Sequence, residues 1–493
     1  MDFDSLALQN PWWYSRASIA GDAKIREFEA ARLKWMPRLR GHLDMDKDVM
    51  YSIRGPRQVG KSTLVKLIIR DELSRREPHR IFYFACDLVS NAKELSGVLE
   101  AYFGWAGKRG GGRTLICLDE VSRVKDWESA YKQFVDVHSL SGTTFILTGS
   151  SSWDLKHGIE RLGGRKGEAS GEQNHKVLLP MKFAEYVKMR DGALYEPFRA
   201  AGLDGNSGRK RAFLGLMGPE AEAHASAFLP LHRELDALLD EYFLTGGILP
   251  AANQYVSSGE ILNATYEVYL QLFFGDIARL GRDEDTAKKV LSCVLHNGGT
   301  PAGWESFAKW CGIPSQLTVM QYVEVLRTLF VLNVYHALDQ NTRQPRHRSE
   351  KKMHLPNPFF FHAFHGYLTN PAGNYFEQAK KYADTGEGKA GLAESVCGDH
   401  LARLAYNFAP SDLYDQQNSV FYVRNANGES VDYAVRLPDG FVPVEVKYQN
   451  ELNDGDYRGI RKFRRGILVT KKTADFSHAH YPAIPLSLFL MFI

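Results

Sequence analysis

The chain has 493 residues, with 61 Lys and Arg against 58 Asp and Glu for a net charge of +3, and it is 44% hydrophobic and 24% charged. That length supplies apolar material for about two to four packed domains. Its near-average composition, with 43 Gly and 20 Pro spread along it, excludes collagen-like, disordered and low-complexity classes. So small a net charge gives no global sign of a nucleic-acid partner, because phosphate binding needs Lys and Arg concentrated on one face.

Residues 1–49 read as a helical lead-in with Arg26, Lys34, Arg38 and Arg40 on its polar side. From Met50, short and nearly continuous apolar runs at 50–54, 81–86, 114–118, 143–148 and 176–179 have the character of strands buried on both faces. They predict a parallel sheet with crossover helices, an α/β domain over 50–190. A Gly- and Arg-rich stretch at 191–227 reads as a loop or small insertion before a helix at 228–244, within an insertion and helical lid spanning 191–283. Three apolar-periodic segments and a β-branched run, VLNVYHAL, predict a helix-turn-helix with a following wing over 284–382. After a polar linker near 383–391, a helix at 392–406 and strands at 419–424, 431–437, 441–447 and 466–470 predict a small α/β domain over 383–493.

Cys86, Cys117, Cys293, Cys311 and Cys397 lie far apart with no CxxC, which points to neither a disulfide framework nor a zinc knuckle. A reducing cytoplasm is the expected compartment. The N-terminus lacks a basic region followed by an apolar core, and the apolar stretch Leu488 to Ile493 is too short to cross a bilayer, so no membrane or export signal is predicted.

The strongest motif is Gly55-Pro56-Arg57-Gln58-Val59-Gly60-Lys61-Ser62, which fits GxxxxGK[ST] between a buried-type strand and a helical pattern opening at Thr63. The glycines let consecutive amides turn inward at a helix start and cradle phosphate oxygens. ATP and Mg²⁺ are the expected cofactors, with Lys61 reaching the β- and γ-phosphates and the Ser62 hydroxyl on the metal. Asp119 and Glu120 end the apolar run at 114–118, where open α/β sheets bind ligands; Asp119 is the candidate metal residue and Glu120 the candidate water-polarising base. The run at 143–148 ends in hydroxyls, making Ser150 a candidate γ-phosphate sensor or a helix cap. Arg161 and Arg165 are candidates to place positive charge on a transition state, in the same or a neighbouring subunit, or to be solvated surface arginines.

Together, GPRQVGKSTL, LICLDEV, FILTGSS, RLGGR, LLPMKFAEYV, TGGILP, VDYAVRL and PVEVKY resemble the prokaryotic AAA-type ATPases of the AAA_14 group that carry a C-terminal domain of unknown function, DUF4143, and are related to archaeal ATPases of the STAND-like branch. The resemblance covers most of the chain outside 191–227. It implies a P-loop sheet of the ASCE type, ATP binding and hydrolysis, a winged-helix module and a C-terminal fold similar to restriction endonucleases.

In the C-terminal region, VDYAVRL and FVPVEVK flank Pro438-Asp439-Gly440 and read as a hairpin. Glu445 and Lys447, two apart, share a face, and Asp432 falls nearly opposite. This is similar to the PD-(D/E)xK nucleases, in which Asp432 and Glu445 would hold Mg²⁺, Lys447 would orient a water and Glu394 on the preceding helix would complete the set. The bland alternative is the charged face of an exposed hairpin.

The second helix of the helix-turn-helix offers Gln316, Thr318 and Gln321 but no Lys or Arg before Arg327, which favours packing or partner binding over base readout. Basic segments at 343–352 (Arg343, Arg346, Arg348, Lys351, Lys352) and 458–465 (Arg458, Arg461, Lys462, Arg464, Arg465) are candidates to hold a DNA backbone without reading sequence, or are solvated surface. His362 with His365, and His296 near Cys293, read as core or surface histidines. The leading expectation is a cytoplasmic ATPase whose nucleotide state controls the C-terminal modules, alone or as a homo-oligomer. The alternatives are a slow nucleotide switch acting through a protein partner and an ATP-regulated, Mg²⁺-dependent DNA nuclease.

Overall fold

The five apolar runs of the first part become β1 (Val49–Arg54), β2 (Ile81–Ala85), β3 (Thr114–Asp119), β4 (Thr143–Gly149) and β5 (His175–Val177). They form one sheet in the order β2-β3-β4-β1-β5 with every pairing parallel. Helices Lys61–Glu72, Ala92–Ala106 and Trp127–His138 follow β1, β2 and β3, and their apolar stripes bury both faces of the sheet. Phe82, Phe84, Tyr102, Phe134 and Phe145 lie in this core. In the computed structural model, residues 3–149, 155, 158–168, 173–218, 220–410, 416–424, 430–438, 440–478 and 480–493 are described. The chain divides into two units, residues 1–179 and 180–493.

The lead-in is not one amphipathic helix. Pro11 and Pro37 break it into short turns and two short helices, Phe3–Gln9 and Ala23–Ala30. Its polar side chains act as a substitute strand along the open edge of β2. Asn10 donates to the Tyr83 carbonyl at 2.9 Å and accepts from the Tyr83 amide at 2.7 Å. Gln9 accepts from the Ala85 amide at 2.8 Å, and the indole N–H groups of Trp12 and Trp13 both donate to Ile81 O at 3.0 Å. An edge that would otherwise offer unpaired amides to another chain is thereby satisfied internally.

In the second unit the structure differs from the sequence reading in several places. The division into units falls at Leu179–Pro180, so LLPMKFAEYV is split between them. The Gly/Arg-rich stretch expected as a loop is helical, over Gly192–Ala200, Asn206–Gly215 and Ala221–Ser226. Widely spaced aromatics hold it: Phe198 stacks on Phe228 at 4.5 Å between centroids, Phe228 meets Phe492 edge-on at 5.5 Å, and the buried Arg209 donates to Ile493 O at 2.6 Å. The chain's last apolar segment, Leu486–Phe492, is thus a core helix shared with the insertion. The supposed linker near 383–391 opens a long helix, Gly386–Phe408, because Thr385 caps it by accepting from the Gly388 amide. No helix among the described residues is long and apolar enough to cross a membrane.

Helices Glu284–Asn297, Trp304–Trp310 and Gln316–Thr328 precede β6 (Asn333–His336), β7 (Leu338–Asp339), β8 (Gln344–Pro345) and β9 (Lys351–His354), with β6 antiparallel to β9 and β7 to β8. The C-terminal sheet has β10 (Val420–Arg424), β11 (Ser430–Leu437), β12 (Gly440–Lys447), β13 (Ile467–Thr470) and β14 (Ala483–Pro485) in sequential order. The β10-β11-β12 meander is antiparallel, and β12-β13-β14 are parallel. The strand β14 escaped the sequence reading because three residues carry too little periodicity.

Candidate functional site

β1 runs directly into the loop Gly55–Gly60, and the helix Lys61–Glu72 starts at its end. Gly60 adopts φ 92°, a left-handed conformation that glycine takes without a Cβ clash, and it turns the chain into the helix. The first-turn amides, Ser62 and Thr63 among them, then lack intrahelical acceptors by helix geometry and present partial positive charge. At Gly55 a Cβ would lie 2.0 Å from Leu178 O, so only glycine lets the segment after β5 approach. Lys61 is buried, and its ammonium donates to Gly55 O and Pro56 O at 2.9 Å each, folded into the loop it closes.

The sheet order brings the second candidate element to the same end. Asp119, at the end of β3, is buried and accepts from Tyr83 Oη at 2.9 Å and from Thr148 Oγ1. Thr148 in turn accepts from the Glu120 amide at 2.9 Å, so one hydroxyl fixes both acidic residues. Glu120 has φ 56°, an uncommon conformation for a side-chain-bearing residue, and its carboxylate lies 3.7 Å from the Arg57 guanidinium of the phosphate loop. Loop, lysine and paired carboxylates therefore stand together. A buried ammonium and amides at a helix start suit a triphosphate, and a buried carboxylate at the adjacent strand end suits a hard divalent cation.

Sequence reasoning missed the support behind Asp119. Tyr83 packs its ring 3.4 Å from the ammonium of Lys66, which pairs with Asp22 of the lead-in at 3.2 Å. Burial holds Lys66 below the ordinary lysine value, opposed by Asp22, and burial together with Asp119 raises the Tyr83 phenol. Neither residue belongs to a motif; only the alternation of β2, which sends Tyr83 to the face of Asp119, hints at it.

Ser150 lies outside the described residues. Arg165 is not on the phosphate-loop edge: its neighbour Lys166 accepts from the Met50 amide at the start of β1, the end away from the loop, and Arg165 itself pairs with Asp136 at 2.7 Å. Arg161 likewise pairs with Glu128 at 2.6 Å.

The C-terminal candidates do meet. The register Tyr433↔Val444 sets Asp432 against Glu445, whose carboxylate accepts from the Asp432 amide at 3.1 Å and pairs with Lys447 at 2.7 Å. Asp432 accepts from the Val446 amide at 2.9 Å, and Glu394 approaches from the helix Gly386–Phe408. Asp439 of the turn lies outside the described residues. Burial and the Asp432 charge, opposed by Lys447, push Glu445 up to about 7. The residue the sequence did not place here is Lys352, whose buried ammonium contacts both Glu394 and Asp432, the latter at 2.9 Å. A divalent cation does not fit these two carboxylates with that ammonium between them. Among the described residues no group of three or more His, Cys, Asp or Glu is arranged to hold a metal.

The basic segments are also altered. Lys351 and Lys352 are buried, with Lys351 4.8 Å over the Trp304 ring, leaving Arg343, Arg346 and Arg348 on the surface of that loop. At 458–465, Arg458, Arg461, Lys462 and Arg464 are exposed.

The signature of the AAA domain matches residues 47–187, and that of a domain of unknown function, DUF4143, matches residues 389–489; the stretch between them is matched by neither. An uncharacterized protein of Methanocaldococcus jannaschii is 24% identical over 328 residues, 64% of this chain, and the match spans 63% of that relative's length. Among solved structures, the Walker-type ATPase of Pyrococcus abyssi aligns at a TM-score of 0.41 and 15% identity over 68% of this chain and 97% of that one. The Aeropyrum pernix ORC1 protein in complex with DNA aligns at 0.30 and 14% identity over 74% and 97%. An AAA domain is thus found at residues 47–187 and a DUF4143 domain at residues 389–489.

Proposed function

We propose that the chain binds and hydrolyses ATP with Mg²⁺ and uses the nucleotide state to control residues 180–493. The observation that carries this reading is the convergence of the Lys61 ammonium, the Asp119 carboxylate and Glu120 at one end of a single parallel sheet. Lys61 would leave the Gly55 and Pro56 carbonyls for phosphate oxygens, and Ser62 and Asp119 would hold the metal. The metal, when bound, neutralises charge on the phosphates. Glu120, fixed at its backbone by Thr148, would accept a proton from the attacking water. What supports the control reading is that the Leu178 amide donates to Arg54 O at 2.8 Å and its carbonyl lies against Gly55, close in sequence to residue 180.

The test is a pair of measurements on purified protein. Calorimetry should show Mg·ATP binding to wild type and to Glu120→Gln but not to Lys61→Ala. Phosphate release should fall by about 100-fold or more in Glu120→Gln. Undiminished release would leave the slow-switch reading, in which the chain acts through a protein partner. Exposed Arg458, Arg461, Lys462 and Arg464 favour a further contact with a DNA backbone, independent of sequence and weakening with salt.

A further inference from the structure

Of the 5 cysteines, Cys86, Cys117 and Cys397 are each 0% exposed, and burial pushes their thiols up. Such thiols act as inert packing groups. Cys293 and Cys311 keep 5% and 8% exposure, and Trp310, next to Cys311, is exposed. Cys293 belongs to the helix Glu284–Asn297, and Cys311 directly follows the helix Trp304–Trp310. One carbonyl joins them: Cys293 Sγ lies 3.9 Å from Phe307 O, to which the Cys311 amide donates at 2.9 Å. The Cys311 thiol donates to the Cys293 sulfur, and Asn297 Nδ2 donates to that same sulfur at 3.7 Å. Two donors on one sulfur favour its thiolate. Cys311 thereby holds Cys293 below the ordinary thiol value, against burial, while the same contact raises Cys311.

We propose that Cys293 and Cys311 are an oxidation site for hydroperoxides, closing into a disulfide and reopening with a thiol reductant. The Cys293 thiolate attacks one oxygen of hydrogen peroxide, the O–O bond breaks, and the departing hydroxide takes a proton to become water. Cys293 is then a sulfenic acid. The Cys311 sulfur attacks the Cys293 sulfur, the S–O bond breaks, and the leaving hydroxide takes the Cys311 proton as a second water. Two thiols lose two electrons and one peroxide gains them. A lone buried cysteine has no such partner, whereas here the resolving thiol already touches the attacking one. The bond, about 2.05 Å long, draws the helix Glu284–Asn297 and the turn after Trp310 together, and ties the segment that carries Gln316–Thr328 to its neighbour. This inference is independent of the nucleotide reading.

The experiment treats reduced, nucleotide-free, full-length protein with hydrogen peroxide, quenches with catalase, alkylates the remaining thiols in urea and maps tryptic peptides by mass spectrometry. Wild type should lose two alkylatable thiols of 5. Because trypsin cuts after Lys309, between the two cysteines, the product should be a pair of peptides joined through Cys293 and Cys311 that dithiothreitol separates. Cys311→Ser should stop at the sulfenic acid, with dimedone captured on Cys293, and Cys293→Ser should lose no thiol to peroxide. Full retention of thiols by wild type would overturn the proposal. So would loss spread evenly over Cys86, Cys117 and Cys397, or a link found only between two chains in non-reducing electrophoresis. The wild-type link is read without any variant, and Cys311→Ala replaces Cys311→Ser if circular dichroism shows the latter unfolded.

Discussion

The Tyr83 hydroxyl donates to Asp119 Oδ2 at 2.9 Å from the strand adjacent to the one carrying the carboxylate. It makes the position of the candidate metal residue depend on the edge strand, and through Asn10 on the N-terminal lead-in. Tyr83→Phe should therefore lower the stability of the nucleotide-free protein by about 1–3 kcal/mol, the cost of leaving a buried carboxylate oxygen short of a donor. A thermal melt equal to wild type would show that the bond contributes nothing.

Lys66 extends the same chain of contacts to Asp22. Removing the carboxylate strands a buried ammonium, so Asp22→Asn should cost about 3–5 kcal/mol in urea unfolding, whereas Lys66→Met, apolar and of similar length, should cost less. Because burial depresses the Lys66 value below 10.5, its charge opposes folding at neutral pH, and that burden fades as pH rises toward 10.5. The difference between the two variants should shrink accordingly in alkaline buffer.

Gly55→Ala tests the close approach of the loop to the segment after β5. Its Cβ would meet Leu178 O at 2.0 Å, far inside contact distance, and backbone must move. The expected result is about 1–3 kcal/mol of destabilisation together with loss of Mg·ATP heat in calorimetry. Normal binding by the variant would argue that the loop tolerates a different path.

His362 and His400 predict the pH response of the second unit. His362 donates from Nε2 to Phe243 O at 2.9 Å while its buried Nδ1 has no acceptor for a second proton, and burial lowers it to about 4. His400 accepts from the Phe183 amide at 3.0 Å through Nε2, and burial lowers it well below the usual histidine range. A depressed value means stability that is present above about 6.5 and is lost as pH falls toward the folded values, at about 1.4 kcal/mol per pH unit for each group. Between neutral pH and about pH 5, His362→Gln should lose about 2 kcal/mol less than wild type in urea unfolding. Equal losses would show that His362 already titrates normally in the folded chain.

The phosphate loop, the strand ends that face it and the alternation of the C-terminal hairpin are local properties. GxxxxGK[ST] fixes a turn and a helix start, a buried strand reads as an apolar run, and a period of two places Asp432 against Glu445 once the turn is known. These were legible from the sequence alone. Tyr83 and Lys66 behind Asp119, the exile of Arg165 to the far end of β1, the helical insertion held by Phe198, Phe228 and Phe492, and the seating of Lys352 were decided only by tertiary structure. Each joins residues distant in the chain, and what selects them is burial: a charge or hydroxyl carried into a low-dielectric interior must find a partner, and only the packed fold determines which partner stands within reach.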